Sequence, residues 1–422
     1  MSVYQVQSRG IYHGLPVYPE SIKGLAAIIT GANGISGYYM LKALSQSPQR
    51  WSKIYCLSRR PPLIPGGLPD NVEHIALDFL KEPAEIAEVL KSKGVKADYV
   101  FFYSYIQPPP KPGGALWSDA DEMVRVNLLL LSNFLGGLKA ANITPKTFML
   151  QTGAKNYGPH LGPTKVPQEE SDPRILLEPN FYYNQEDLLF AYCAENSVGW
   201  TVGMPGPILG AVPDAAMNAC FPLAVYAAVS RHLGRKLVWP GDVASWQIPN
   251  SMSTSMMNAY MEEWSVLEPR AVNQRYNVFD GGAFAFEGLW PKVAGWYGIG
   301  WDGPGGDESG MEVRETRYDP PPRGYGGRGV SRRKFTLVEW AKRPEVQRAW
   351  EELRGEYGLA EIKEVDRVFA FLDGTMVRAS PLLFSSDKAR KLGWCGYVDS
   401  SEAFLEVFQD LVKIKMIPPL PK

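Results

Sequence analysis

The stretch Leu25–Gly37, "LAAIITGANGISG", decides the fold. "LAAIIT" is apolar up to Thr30 and predicts a buried strand. Glycines follow at Gly31, Gly34 and Gly37, a G-x-x-G-x-x-G spacing, and "GISGYYMLKALSQS" predicts a helix that opens on them. A strand that ends in a glycine turn and leads into a helix signals dinucleotide binding when it stands in a βαβ unit. The glycines let the backbone turn tightly and approach a pyrophosphate. Free amides and the positive end of the helix then favour the anion. A plain strand-to-helix turn is the competing reading. The position at the head of a βαβ pattern favours the nucleotide.

Downstream, short apolar strands alternate with helices. "SKIYCLS", "NVEHIALDF", "ADYVFFYSY", "KTFMLQTG" and "WTVGMPG" predict strands. "PAEIAEVLKSKG", "DADEMVRVNLLLLSNFLGGLKAAN" and "FYYNQEDLLFAYCAEN" predict helices. Near-continuous apolar strands separated by helices imply an α/β fold with a doubly wound parallel sheet. Such sheets bind ligands at the carboxyl ends of their strands. Residues 22–210 are expected to form the nucleotide-binding Rossmann domain, with returning strands at about 235–280. Further helices are expected around 216–232 and 250–264. Residues 211–234 and 281–422 are expected to form a smaller, helix-rich substrate-binding and lid region. Within it, about 300–333 is rich in Gly, Pro and charge and predicts a long surface loop or flap.

Composition narrows the function. The 422 residues carry a net charge of −1, so no global field recruits nucleic acid or anionic lipid. Cys56, Cys193, Cys220 and Cys395 lie far apart, and only four histidines are present, so no metal site is expected. The thiols suit a reducing, cytoplasmic setting. The N-terminal "MSVYQVQSRGIYHG" lacks an apolar core, so no signal peptide is expected. "VNLLLLSNFL" is too short to span a bilayer.

The second strand ends in "CLSRRPP". An NAD site would usually place an acid here for the ribose hydroxyl. Ser58, Arg59 and Arg60 suit a 2′-phosphate instead, because guanidinium grips phosphate in bidentate fashion. NADPH is therefore the expected cofactor. Asp78, at the end of the third strand, could accept the adenine amino group.

Many nicotinamide enzymes of this topology use Tyr-x-x-x-Lys on a helix, where the ammonium lowers the phenol's pKa. The match here, Tyr38 to Lys42, lies in the helix after the glycine turn, at the wrong end of the cofactor. On the helix "FYYNQEDLLFAYCAEN", Tyr182 is followed at i+4 by Glu186 and Tyr183 by Asp187. The cation must come from elsewhere, and Lys155, after the fifth strand in "LQTGAK", is the candidate.

Together, "TGANGISG", "SRRP", "LQTGAKNYG", "NFYYNQED" and "MPGPILG" resemble the progesterone 5β-reductase/iridoid synthase-like family of short-chain dehydrogenases. "SWQIPNSMS", "YNVFDGGAFAFEGLWPKVA" and "KIKMIPP" extend the resemblance over nearly the whole chain. It implies the extended short-chain dehydrogenase fold and NADPH-dependent reduction of electron-poor C=C bonds. It implies Lys155 and Tyr182 as the catalytic pair, with Tyr183 a lesser candidate. The cofactor contacts expected are Gly31, Asn33, Gly34, Ile35, Gly37, Ser58, Arg59, Arg60, Asp78, Phe79, Lys155, Tyr182, Pro205 and Ile208. Tyr103, Tyr105 and Trp246 are expected in the substrate pocket, with the proline loop of "FYSYIQPPPKPGG" on its border. The 300–333 segment is longer than the family leads one to expect.

The leading expectation is an ene-reductase acting on a small apolar enone or enal of specialised metabolism. A carbonyl reductase or alcohol dehydrogenase, a cofactor-assisted isomerase or cyclase, and a non-catalytic NADP sensor stay open as alternatives. A homodimer is compatible with the sequence.

Overall fold

A computed structural model describes residues 5–111 and 117–421. Leu25–Thr30 forms strand β1 inside a seven-stranded sheet. The others are β2 (Trp51–Ser58), β3 (Val72–Ala76), β4 (Tyr99–Phe102), β5 (Thr147–Gln151), β6 (Gly199–Pro205) and β7 (Gln274–Val278). Their order is β7-β6-β5-β4-β1-β2-β3, and every neighbouring pair is parallel. Strand order reverses between β1 and β4, which opens a crevice at their carboxyl ends.

All-parallel pairing requires apolar cover on both faces. Helix α1 (Ile35–Ser45) packs on one face with α7 (Ser255–Leu267). Helices α2 (Pro83–Ser92), α3 (Ala120–Ala140) and α4 (Phe181–Asn196) cover the other. A separate core gathers around α5 (Cys220–His232), whose residues 220–230 are all buried. A helix apolar on every side needs neighbours all round. They come from α8 (Phe286–Trp296), α9 (Leu337–Ala341), α10 (Pro344–Tyr357), α11 (Val365–Met376) and α13 (Ser400–Lys413). The short helices α6 (Val243–Gln247) and α12 (Asp387–Lys391) complete the set.

The expected strands and helices form, with informative departures. "ADYVFFYSY" leaves the sheet after Phe102, because the Thr30 hydroxyl accepts the amides of Tyr103 and Ser104 at 3.0 and 3.2 Å. Of the returning strands, only β7 joins the main sheet. Leu237–Val238 pairs instead with Trp301–Asp302, so this part of "KLVWPG" belongs to the second core. The 300–333 segment is partly ordered by a hairpin of Glu312–Glu315 against Val330–Arg333. A hairpin of Val6–Arg9 with Tyr12–Pro16 also forms, without having been expected. The first four residues and Pro112–Gly114 of the proline loop lie outside the described residues. Among the described residues, no helix is long and apolar enough to cross a membrane.

One acid is sealed between α7 and the sheet. Glu262 sits over β6, where a side chain at Gly203 would come within 2.8 Å of Oε1. Its Oε2 accepts the Tyr103 hydroxyl at 2.6 Å, while Oε1 has no hydrogen-bond partner. Burial pushes the carboxyl up to about 8, although the tyrosine hydrogen bond opposes the rise. The folded value lies above the unfolded one of about 4.3. The folded chain therefore binds the extra proton, and this contribution to stability is full below about pH 4 and lost as pH rises to about 8. Glu262→Gln should gain melting temperature over the wild type across that window and level off above it. A difference that stays flat with pH would show that the buried carboxyl is already ionised.

Candidate active site

The glycine turn uses its glycines for shape. Gly31 has φ +60°, in the left-handed region, and a side chain there would meet the Tyr103 carbonyl oxygen at 2.9 Å. At Gly37 a side chain would meet the Gly31 carbonyl oxygen at 2.5 Å, so helix and turn close only over glycine. Helix α1 starts after Gly34 with no side-chain cap, leaving its first amides for a ligand.

These amides border a cavity of about 1340 Å³ at the carboxyl edge of the sheet. A drug-sized pocket spans roughly 300–1,000 Å³, so there is room for more than one small molecule. Gly31, Asn33, Gly34, Ile35, Gly37, Arg59, Arg60, Lys155, Tyr182, Pro205 and Ile208 all line it. Ser58, Asp78 and Phe79 line an adjoining recess of about 80 Å³ beside Gly31 and Arg59. An open helix start, two exposed guanidiniums and a side recess on one edge fit a dinucleotide.

Ser58 and Phe79 carry structural contacts besides lining the recess, and the expected place of Trp246 is corrected. The Ser58 hydroxyl donates to the Arg60 carbonyl at 2.7 Å, so it shapes the arginine loop. The Phe79 ring packs on Phe134 with centroids 4.8 Å apart, which makes it largely core. Trp246 does not line the cavity. Helix α6 turns it into a tryptophan cluster, stacked on Trp301 at 5.9 Å and edge-on to Trp239 at 5.1 Å. Tyr103 and Tyr105 do line the cavity. The Tyr103 hydroxyl is taken by Glu262, and that of Tyr105 accepts Trp117 Nε1 at 2.7 Å.

Lys155 and Tyr182 come together from different elements. Lys155 lies on the 3₁₀ turn Ala154–Tyr157 after β5, and Tyr182 on the first turn of α4. A side chain at Gly153 would come within 3.2 Å of the Tyr182 hydroxyl, which places that hydroxyl at the β5 edge. Asn180 ties the two elements together. Its Oδ1 accepts the Tyr182 amide and its Nδ2 donates to the Lys155 carbonyl, both at 3.1 Å. It is the N-cap of α4 as well as a positioning residue.

The tyrosine pair divides its work. The Tyr183 hydroxyl donates to the Asn156 carbonyl at 2.6 Å and accepts the Ile175 amide at 2.9 Å. The Tyr182 hydroxyl has no hydrogen-bond partner among the described residues, and the residue lines the cavity. Burial raises the Tyr182 phenol above its ordinary value. Glu186, in the slot of the expected lysine, is fully buried at its side chain and takes Arg174 at 3.1 Å and Arg275 at 3.5 Å. Asp187 takes Arg174 at 2.8 Å. Both acids hold the helix start. On α1, Lys42 pairs with Asp410 at 3.3 Å, so the Tyr38–Lys42 match is a structural contact.

Burial holds Lys155 well below the ordinary lysine range, with Glu178 partly opposing. Its ammonium lies over the Trp117 ring, 3.1 Å from the centroid, a cation–π contact. His160 lines the same cavity, and burial, with the Lys155 charge added, pushes it down to about 3, so its imidazole is neutral. Sequence reasoning passed over Trp117, His160 and Asn180. Only Asn180 carried a signal, as a helix-capping residue before "FYYNQED". Among the described residues, no cluster of His, Cys, Asp or Glu could hold a metal ion.

This fold and site define a Rossmann oxidoreductase of the extended short-chain dehydrogenase/reductase class. The model of the PRISE-like Rossmann-fold domain family matches residues 27–318, and the chain belongs to that family. It is 30% identical over 416 residues to an uncharacterised protein of Schizosaccharomyces pombe, covering 94% of this chain and 99% of the relative. It is 28% identical to the 3-oxo-Δ4,5-steroid 5β-reductase of Arabidopsis thaliana, covering 93% of each. A crystal structure of a UDP-glucose 4-epimerase shares the fold at a TM-score of 0.60 and 13% identity, covering 92% of this chain and 98% of that one.

The tyrosine pair predicts a split in stability. Tyr183→Phe strips the hydroxyl from one buried and one half-buried backbone group and should cost about 1–3 kcal/mol. Tyr182→Phe removes a hydroxyl with no protein partner and should leave the denaturant midpoint nearly unmoved. Equal losses in urea unfolding would refute this division.

Proposed function

We propose that the chain is an NADPH-dependent ene-reductase that delivers hydride to the β-carbon of a conjugated enone or enal. The observation that carries this reading is the unengaged Tyr182 hydroxyl, facing the cavity at the β5 edge with Lys155 on the adjoining turn. Membership in a reductase-containing family supports it. So does the 5β-reductase relative, whose name specifies reduction of a Δ4,5 bond conjugated to a 3-oxo group.

When bound, the nicotinamide supplies the hydride. Negative charge then grows on the substrate carbonyl oxygen. Tyr182 donates its hydroxyl hydrogen bond to that oxygen, where the charge appears. Lys155 adds positive potential beside it, and a developing oxyanion favours the ammonium that burial alone disfavours. Trp117 holds the ammonium in place through its ring face. A proton from solvent completes the α-carbon. Loss of one donor of this kind costs roughly 3–4 kcal/mol in the transition state.

Two experiments test the reading. Purified protein with NADPH and a panel of enones and enals should yield saturated carbonyl compounds, and Tyr182→Phe should lower kcat by about 10²–10³. Allylic alcohol as the sole product would mean that hydride goes to the carbonyl carbon. The cofactor preference rests on Arg59, which is exposed at the cavity, and Arg60, whose contact with Asp214 is long at 3.9 Å. The double change Arg59→Ala/Arg60→Ala should weaken NADPH binding about 10–100-fold and leave NADH binding nearly as it was. An unaltered NADPH-to-NADH ratio would assign the 2′-phosphate to other residues.

A further inference from the structure

The cavity holds a cation that the proposed reaction does not use. Arg378 follows α11 and lines the cavity. Its Nε is buried without a hydrogen-bond partner. Among the described residues its guanidinium makes no ion pair, and its backbone carbonyl alone is engaged, accepting Ser245 Oγ at 3.2 Å. The cavity's other arginines on this side are occupied. Arg333 pairs with Glu312 at 2.6 Å, Arg314 with the same acid at 3.1 Å, and Arg367 with Asp214 at 2.6 Å. Burial pulls Arg378 down to about 10, and no carboxylate acts to raise it. The residue is half-buried, and leaving its buried Nε without a partner is unfavourable unless a ligand pairs with it.

Its position is at the substrate end. The next residue, Ala379, packs beside Pro163, on the chain that continues from Lys155. A side chain at Gly329, in the 300–333 segment, would meet Ala379 at 2.7 Å and Pro163 at 3.0 Å. The surrounding wall mixes apolar residues, Phe371, Val377 and Leu382, with polar and charged ones such as Ser331, Thr336 and Asp373. Arg378 therefore lines the cavity next to the segment that follows the Lys155 turn.

We infer that the natural substrate is an apolar conjugated carbonyl compound bearing a carboxylate, which Arg378 binds on the cavity wall. This rests on the cavity being the substrate site of the proposed reductase. One unpaired guanidinium balances one negative charge, and its planar fork matches a carboxylate in bidentate fashion. A phosphate dianion would ask for a second free cation on the same wall.

The test uses the full-length protein with NADP⁺ and straight-chain 2-enals of graded length that end in a carboxylate, a methyl ester or a phosphate. Binding is measured by calorimetry, and turnover separately with NADPH. The carboxylate should bind at least about tenfold tighter than its ester. Arg378→Leu should reduce that ratio to about one and raise the melting temperature of the ligand-free protein, because it removes a half-buried charge whose buried Nε has no partner. Arg378→Lys, which keeps charge but loses the fork, should fall between. Equal binding of acid and ester by the wild type would overturn the inference, whatever Arg378→Leu does to folding. Tighter binding of the phosphate than of the carboxylate would also overturn it, as would an acid preference that survives in Arg378→Leu. Tight, Arg378-dependent acid binding without any turnover would uphold the anion site and reject the reductase reading.

Discussion

Everything at the candidate site hangs on the hydrogen bonds that lock the turn after β5 to the start of α4. Asn180 spans from the Lys155 carbonyl to the Tyr182 amide, and the Tyr183 hydroxyl closes onto the Asn156 carbonyl. These are buried or half-buried backbone groups beyond the end of a parallel strand, where the ladder no longer satisfies them. Leaving them unpaired is costly, so the turn and the helix move as one piece. The same bonds consume one tyrosine and release the other. Tyr183 is fixed as a strut, and Tyr182, one residue earlier and so about 100° away around the helix, faces the cavity.

Charge inside the cavity is handled with the same economy. The acids on α4 face away from the reaction and hold Arg174 and Arg275. Lys155 has an aromatic face against its ammonium, and Glu178 acts on it electrostatically without an ion pair among the described residues, so its charge stays available to an oxyanion. A carboxylate in direct contact would neutralise that potential. The tyrosine and lysine no longer share a helical turn, so each can be placed by its own backbone element. Arg378 follows the same pattern on the cavity wall. Among the described residues neither cation makes an ion pair, and each sits where a ligand's charge would be felt strongly.

Much of this was legible in the residues. The glycine spacing after "LAAIIT" implied the turn and the helix start, because only glycine fits the left-handed backbone of Gly31 and the close approach at Gly37. The lysine on the β5 turn was found by exclusion, once Glu186 occupied the slot on the helix. Trp246 misled, because a tryptophan beside prolines and polar residues carries no mark of which way its short helix faces. Tyr103 was half right. It reaches the cavity, yet its hydroxyl is spent on Glu262, a residue 159 positions away. No local pattern encodes such a pairing.

The sequence by itself determined the alternating strands and helices, the nucleotide edge and the two catalytic candidates, since these follow from periodicity, backbone sterics and residue chemistry over short spans. Only the tertiary structure decided which tyrosine was free, which tryptophan was core, how the 300–333 segment came to wall the cavity, and that the Arg378 guanidinium makes no ion pair among the described residues. Each of those depends on what distant segments bring to the same few ångströms, and burial and pairing are properties of that assembly rather than of any one stretch of chain.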